Sequence, residues 1–168
     1  MKNADYWIEK LSLTEHIEGG FFKEIYRSDE IIAKNHLPGR FNGNRSFSTS
    51  IYYLLKSDEF SAFHRVKQDE LWHFYDGSSI ILHVFDKEGN YQEKKLGKDF
   101  NQNEHFQAVV YAGEIFAASV AQKNSYALVG CTCAPGFDMD DFEFINSSDL
   151  LKINPNYEKI ILKYSKAG

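Results

Sequence analysis

Two side chains able to move a proton, His64 and Glu70, lie in the run Ser61-Ala62-Phe63-His64-Arg65-Val66-Lys67-Gln68-Asp69-Glu70-Leu71-Trp72-His73-Phe74-Tyr75-Asp76-Gly77. An imidazole titrates near neutrality, and a carboxylate beside it can orient it or share its proton, so such a pair can act as general base and orienter. The same two groups could ligate a metal, but catalytic zinc or iron typically keeps three or more protein ligands. Two residues after His64 stands Val66, which has no donor atom. On a strand, the two-residue period puts Glu70, Trp72 and Phe74 on one face and turns His73 to the other, so His73 cannot complete a ligand set with Glu70. The run therefore predicts an apolar, aromatic cup holding one imidazole and one carboxylate, the usual make-up of a small-molecule pocket. The alternative is a buried polar pair in which each partner satisfies the other.

Other groups are weaker candidates. Arg27, Arg45 and Arg65 could clamp a phosphate or carboxylate. Arg65 neighbours His64 and should face outward, into a surface or dimer salt bridge. Arg45 is the better anion candidate, against the plainer reading of a solvated loop charge. Glu18-Gly19-Gly20 reads as a turn required by backbone conformation, with no helix after it to hold an anion. Cys131 and Cys133 share a face of one strand and read as buried, inert thiols, since no second pair completes a zinc site. Asp138, Asp140 and Asp141 lack the spacing and closing glutamate of a calcium loop. His16, His36, His83 and His105 have no partners in sequence and read as surface or core histidines.

The elements that must position these residues are short strands. Phe21–Arg27, Phe47–Leu55, Phe60–Val66, Leu71–Tyr75, Ile80–Phe85, Tyr91–Leu96, Phe106–Tyr111, Ile115–Ala121 and Tyr126–Cys133 are separated by turn signals such as Asp76-Gly77 and Lys87-Glu88-Gly89-Asn90. Regular spacing of this kind predicts an all-β sandwich or barrel. Asn3 caps an expected helix over 4–11, residues 28–45 read as a long loop, and Leu150–Ile153 and Tyr157–Tyr164 read as terminal helices.

At 168 residues the chain predicts one domain, 1–168. Aromatic content of 15% suits strands and an aromatic-lined cavity better than a helical bundle. A net charge of -5 with no Lys/Arg cluster makes nucleic acid an unexpected partner. No apolar run approaches bilayer length and the N-terminal residues lack a signal-peptide core, so the expectation is no membrane association and a cytoplasmic setting.

Five segments together resemble the cupin superfamily, and within it the small cupin-5 family. They are His16 with Glu18-Gly19-Gly20-Phe21-Phe22-Lys23-Glu24, then Tyr26-Arg27-Ser28, then Ser50-Ile51-Tyr52-Tyr53-Leu54-Leu55. Phe63-His64-Arg65 with Asp69-Glu70-Leu71-Trp72-His73-Phe74 is the central match. Val129-Gly130-Cys131-Thr132 with Ala134-Pro135-Gly136-Phe137-Asp138 and Asp141-Phe142 is the last. The resemblance implies a double-stranded β-helix (jelly-roll) barrel, similar in shape to the epimerase that acts on dTDP-keto-sugars and assembled as a homodimer. His64, Glu70 and Gly77 match three positions of the usual cupin signature, while Val66 replaces its second histidine. In the second cupin motif Tyr111 stands for a proline, Ile115 for a tryptophan and Phe116 for a metal-ligand histidine.

The resemblance thus implies a small-molecule-binding barrel without metal or other cofactor, with His64 and Glu70 as catalytic residues. Tyr53 at the rim, Trp72, Phe116 and Arg45 would join them in binding the ligand. The enzymatic version is a metal-independent isomerase or epimerase acting on a sugar or other polar metabolite. A non-catalytic binding or sensing module is the alternative, and a metal-dependent oxygenase is disfavoured by Val66 and Phe116.

Overall fold

The computed structural model describes residues 2–166; of the expected 1–168 domain, Met1, Ala167 and Gly168 lie outside the described residues. Two six-stranded sheets face each other. The first runs β1 (Thr14–Glu15), β2 (Phe21–Arg27), β5 (Thr49–Lys56), β13 (Tyr126–Ala134), β7 (Asp69–Gly77) and β11 (Gln107–Val110). The second runs β10 (Glu104–His105), β9 (Tyr91–Leu96), β8 (Ile80–Phe85), β12 (Ile115–Val120), β6 (Phe60–Val66) and β14 (Phe142–Phe144). β3 (Ile31–Ile32) and β4 (Arg45–Ser46) form a small ribbon. Every pairing within the two large sheets is antiparallel except β9 with the two-residue β10. This is the jelly-roll architecture that the family resemblance implies, within the all-β sandwich or barrel that the strand spacing predicts.

Alternation decides which side chains meet between the sheets. Along β7, Glu70, Trp72 and Phe74 are buried while Leu71, His73 and Tyr75 are half-buried or exposed. Tyr53, Leu55, Ile80, Leu82, Val84, Phe116 and Val129 close over them to make the central core. β6 is buried on both faces, because its outer side is covered as well. Helices α2 (Ser147–Ile153) and α3 (Glu158–Lys163) lie there, packing Leu150, Ile161 and Tyr164 onto Phe63, Phe85 and Ala117. Helix α1 (Ala4–Leu11), capped by the Asn3 side chain at Tyr6 N, covers the outer face of the first sheet at Leu54 and Leu128.

Two differences from the sequence reading bear on the site. Strand β14 has no counterpart among the expected strands; it is three residues long, follows an acidic turn, and exists because it pairs with β6, Phe142 against Val66 and Phe144 against His64. Residues 28–45 are pinned by the β3–β4 ribbon and a 3-10 turn at Lys34–His36.

The turn at Glu18-Gly19-Gly20 sets where the Glu18 side chain lies. Gly19 and Gly20 have φ of 114° and 72°, and a Cβ on Gly19 would fall 2.1 Å from the Phe60 carbonyl oxygen. Only glycine allows this approach. It lets the Ala62 amide donate to the Glu18 carbonyl at 2.9 Å, so the turn is docked directly onto β6.

Candidate functional site

The docked turn carries the Glu18 side chain to His64. Glu18 Oε2 accepts from His64 Nε2 at 2.8 Å and from Ser61 Oγ at 3.0 Å, and Oε1 lies 3.1 Å from His16 Nδ1. His64 Nδ1 lies 2.7 Å from the Ala62 carbonyl oxygen, which can only accept. Both His64 nitrogens therefore face acceptors, which calls for a proton on each. Burial opposes that charge, but the Glu18 carboxylate, its hydrogen bond, the Ala62 carbonyl and Glu70 together raise the His64 pKa. Burial likewise pushes Glu18 up, yet the His64 charge and the hydrogen bonds from His16 and His64 hold it well below the usual carboxylate range. The pair is an imidazolium–carboxylate ion pair.

Glu70 is left without that partner. It stands opposite Cys133 across β13 and shares the inner face with Cys131. Among the described residues its carboxylate has no hydrogen bond or ion pair to a nitrogen or oxygen. Burial, then the neighbouring Glu18 charge, raises its pKa to about 7, against smaller opposing effects of His64 and the Cys131 thiol. The two thiols are themselves pushed up by burial and by the carboxylates, so they are protonated and poor nucleophiles.

These groups line one end of a cavity of ≈ 440 Å³ between the sheets. Its walls are Ile17, Phe22, Ile51, Val66, Phe137, Met139 and Phe142, with Glu24, Arg27 and Asp138 also lining it. Phe142 stacks on His64 at 5.2 Å between ring centroids, so the additional strand β14 closes the site.

The structure brings His64 and Glu70 to this cavity as the strand register predicts. It corrects four other expectations. His64 pairs with Glu18, not Glu70, because the turn reaches β6 first. Tyr53 is not at a rim: it is 1% exposed and its hydroxyl donates to the Gly19 carbonyl at 2.8 Å. Trp72 and Phe116 do not line the cavity but sit behind it, packed edge to face at 6.1 Å, with Phe116 4.1 Å from the His64 ring. The opposite sheet covers both, so the aromatic surface offered to a ligand belongs to Phe22, Phe137 and Phe142.

Arg45 is the fourth correction. It is neither an anion site nor a solvated loop charge. Its guanidinium is buried and bonds both Asp141 oxygens at 2.6 Å, tying β4 to the turn before β14. Arg65 pairs with Glu143 at the surface, as its outward register predicts. Glu18 and His16, which sequence reasoning set aside, are part of the site. Their signal was a carboxylate immediately before a double glycine, within a segment that matched the family.

A cupin metal centre does not fit these residues. Val66 and Phe116 carry no donors, and both His64 nitrogens are engaged. Among the described residues no three His, Cys, Asp or Glu side chains are grouped to hold a metal ion.

Comparison with known proteins agrees with this picture of the fold. The Cupin_5 family, described as Cupin superfamily (DUF985), matches residues 5–145. An uncharacterized protein of Saccharomyces cerevisiae is 32% identical over 164 residues, spanning 86% of this chain and 76% of its own length. A solved structure from Shewanella oneidensis superposes with a TM-score of 0.88 at 37% identity, covering 100% of both chains. A hypothetical protein from Leishmania major gives a TM-score of 0.88 at 30% identity, covering 99% of this chain and 100% of that one. With its jelly-roll sheets, inward His64 and Glu70 and a match over most of its length, the chain belongs to the Cupin_5 family of the cupin superfamily.

Proposed function

We propose that the chain is a small-molecule-binding cupin that catalyses metal-independent proton transfer, as an isomerase or epimerase acting on a sugar or other polar metabolite. The observation that carries this reading is Glu70: a buried carboxylate, without a nitrogen or oxygen partner among the described residues, lining a cavity beside a fixed ion pair. A carboxyl titrating at about 7 can both take and return a proton at neutral pH. Glu70 would remove a proton from a carbon next to a carbonyl. Epimerisation closes when water protonates the opposite face of the enolate and Glu70 gives its proton to solvent. Isomerisation closes when Glu70 returns its proton to the neighbouring carbon while the hydroxyl proton passes to the carbonyl oxygen through water. The proton count closes, and no oxidant or second reactant is needed. Glu18 remains ionised throughout and keeps Glu70 basic, while His64 holds Glu18 in place.

Proton exchange with solvent tests this. The protein is incubated in D2O with a panel of aldoses, ketoses and keto-acids, and deuterium at carbon is read by mass spectrometry. Wild type should label at least one compound and Glu70→Gln should label none; binding without labelling would overturn the enzymatic reading. One observation favours the alternative, a non-catalytic binding module: the Glu18–His64 pair is fully satisfied within the protein. The unpaired Glu70 weighs against it. Ile25, Tyr26, Ile31 and Phe47 are about half exposed around β2 and the β3–β4 ribbon, which supports a homodimer as the assembly. Light scattering giving a mass near 19.4 kDa would overturn that part.

A further inference from the structure

We infer that the cavity takes a ligand carrying a protonated amine on an apolar frame, with Glu70 as the carboxylate that receives it. This goes beyond the preceding reading: it concerns the same cavity, but a ligand that Glu70 meets as an anion and not as a base at carbon. The ground is the charge lining the cavity. Four carboxylates face it: Glu18, Glu24, Glu70 and Asp138. Two cations oppose them, and each is already taken. His64 is paired with Glu18 at 2.8 Å. Arg27 bonds both oxygens of Glu24, at 3.0 and 2.7 Å, and gives a third N–H to the Phe137 carbonyl at 3.0 Å. His16 is held at the remaining Glu18 oxygen. Among the described residues no lysine lines the cavity.

Among the described residues Glu70 and Asp138 have no ion pair of their own; Asp138 accepts from the Asp140 amide at 3.0 Å and Glu70 has only the weak donor of the Cys131 thiol. A phosphorylated, nucleotide-linked or carboxylate ligand would bring negative charge against both and meet no free cation. A hydroxylated neutral ligand could bond Glu70, but an ammonium group makes a charge-assisted bond and removes the mismatch. The walls suit the rest of such a molecule: Phe22, Phe137, Phe142, Ile51 and Met139 offer it apolar surface. The small apolar amine phenethylamine is a direct probe, with phenylethanol and phenylacetate as neutral and anionic counterparts of similar shape.

Isothermal titration should find the amine binding about tenfold or more tightly than the alcohol, with the acid weakest. Amine affinity should rise about tenfold between about pH 6 and pH 8 as Glu70 gives up its proton, because the amine stays charged over that range. Glu70→Gln should abolish both the preference for amine over alcohol and its pH dependence. Equal binding of amine and alcohol, tighter binding of the acid, or no amine binding at millimolar concentration would each overturn the inference. The wild-type pH dependence decides the matter if the variant fails to fold. The two readings fail separately: solvent exchange of a neutral sugar without amine binding sinks only the ligand class, and amine binding without exchange of any bound compound sinks only the catalysis.

Discussion

At the scale of single residues, His64 and Glu70 divide two tasks that one histidine–glutamate pair would otherwise share. His64 is closed off, since its nitrogens are committed to Ala62 and Glu18. Removing it in His64→Ala leaves the Glu18 carboxylate buried without its cation, which should destabilise the protein by roughly 3–5 kcal/mol. The double variant His64→Ala/Glu18→Gln should regain part of that loss; thermal melts read both, and a His64→Ala melt equal to wild type would show that the pair is not structural. Glu70 behaves in the opposite way. Its folded pKa of about 7 lies above the ordinary 4.5, so between those values the native state holds a proton that the unfolded state has lost. Stability attributable to Glu70 therefore declines as pH rises from 4.5 to about 7, by about 3 kcal/mol in all. Glu70→Gln should flatten that decline and melt at a higher temperature than wild type at pH 8, which denaturant titrations across pH will check. Keeping a carboxylate that costs stability at neutral pH is what a site used for chemistry does.

At the scale of elements, the site exists because three short connections converge on β6. The double-glycine turn delivers Glu18, the two-residue link from β6 to β7 brings Glu70 across from one sheet to the other, and β14 lays Phe142 over His64. The outer side of the second sheet has its own buried histidine. His83 lies between Tyr91 Oη at 2.8 Å and Ser119 Oγ at 2.9 Å, and stacks on Tyr164, just after α3, at 4.4 Å. Burial lowers its pKa from 6.5 to about 4, against the opposing pull of Glu93 and with help from Lys163. The unfolded chain thus binds a proton here before the native one does. This contribution is intact above pH 6.5 and is lost as pH falls towards 4, by about 3 kcal/mol in total. The C-terminal helices, which sit directly over His83, should open first. Hydrogen exchange in residues 158–164 should accelerate over that interval in wild type and lose the pH dependence in His83→Gln; equal acceleration in the variant would assign it elsewhere.

At the scale of the whole molecule, two sheets with helices outside them leave one end of the barrel open, and the side chains there decide what the barrel does. Fold alone does not carry activity over. In this chain Val66 and Phe116 take positions where cupins place metal ligands, and of the remaining two His64 is committed to Glu18 and Ala62, which leaves Glu70 alone. Protein purified without added metal should therefore carry well under one equivalent of iron, manganese, nickel or zinc. Elemental analysis checks this, and stoichiometric metal that survives mild chelation would contradict it.

Periodicity was enough to read the frame. Phe21–Arg27, Phe60–Val66, Ile80–Phe85 and Tyr91–Leu96 form strands with the limits their sequences predict, because side-chain alternation and flanking turn residues act locally. The same alternation placed Glu70, Trp72 and Phe74 inward and His73 away. What lay beyond it were the partnerships. Glu18 and His64, or Arg45 and Asp141, are far apart along the chain, and neither partner's own segment announces the other. Burial depth was equally hidden: Tyr53, Trp72 and Phe116 face inward like His64, yet the opposing sheet closes over them and leaves His64 and Glu70 at the cavity. Local sequence fixes which face a side chain takes. Which charge it meets there, and whether space remains in front of it, depends on how distant strands stack, and only the tertiary structure decided that.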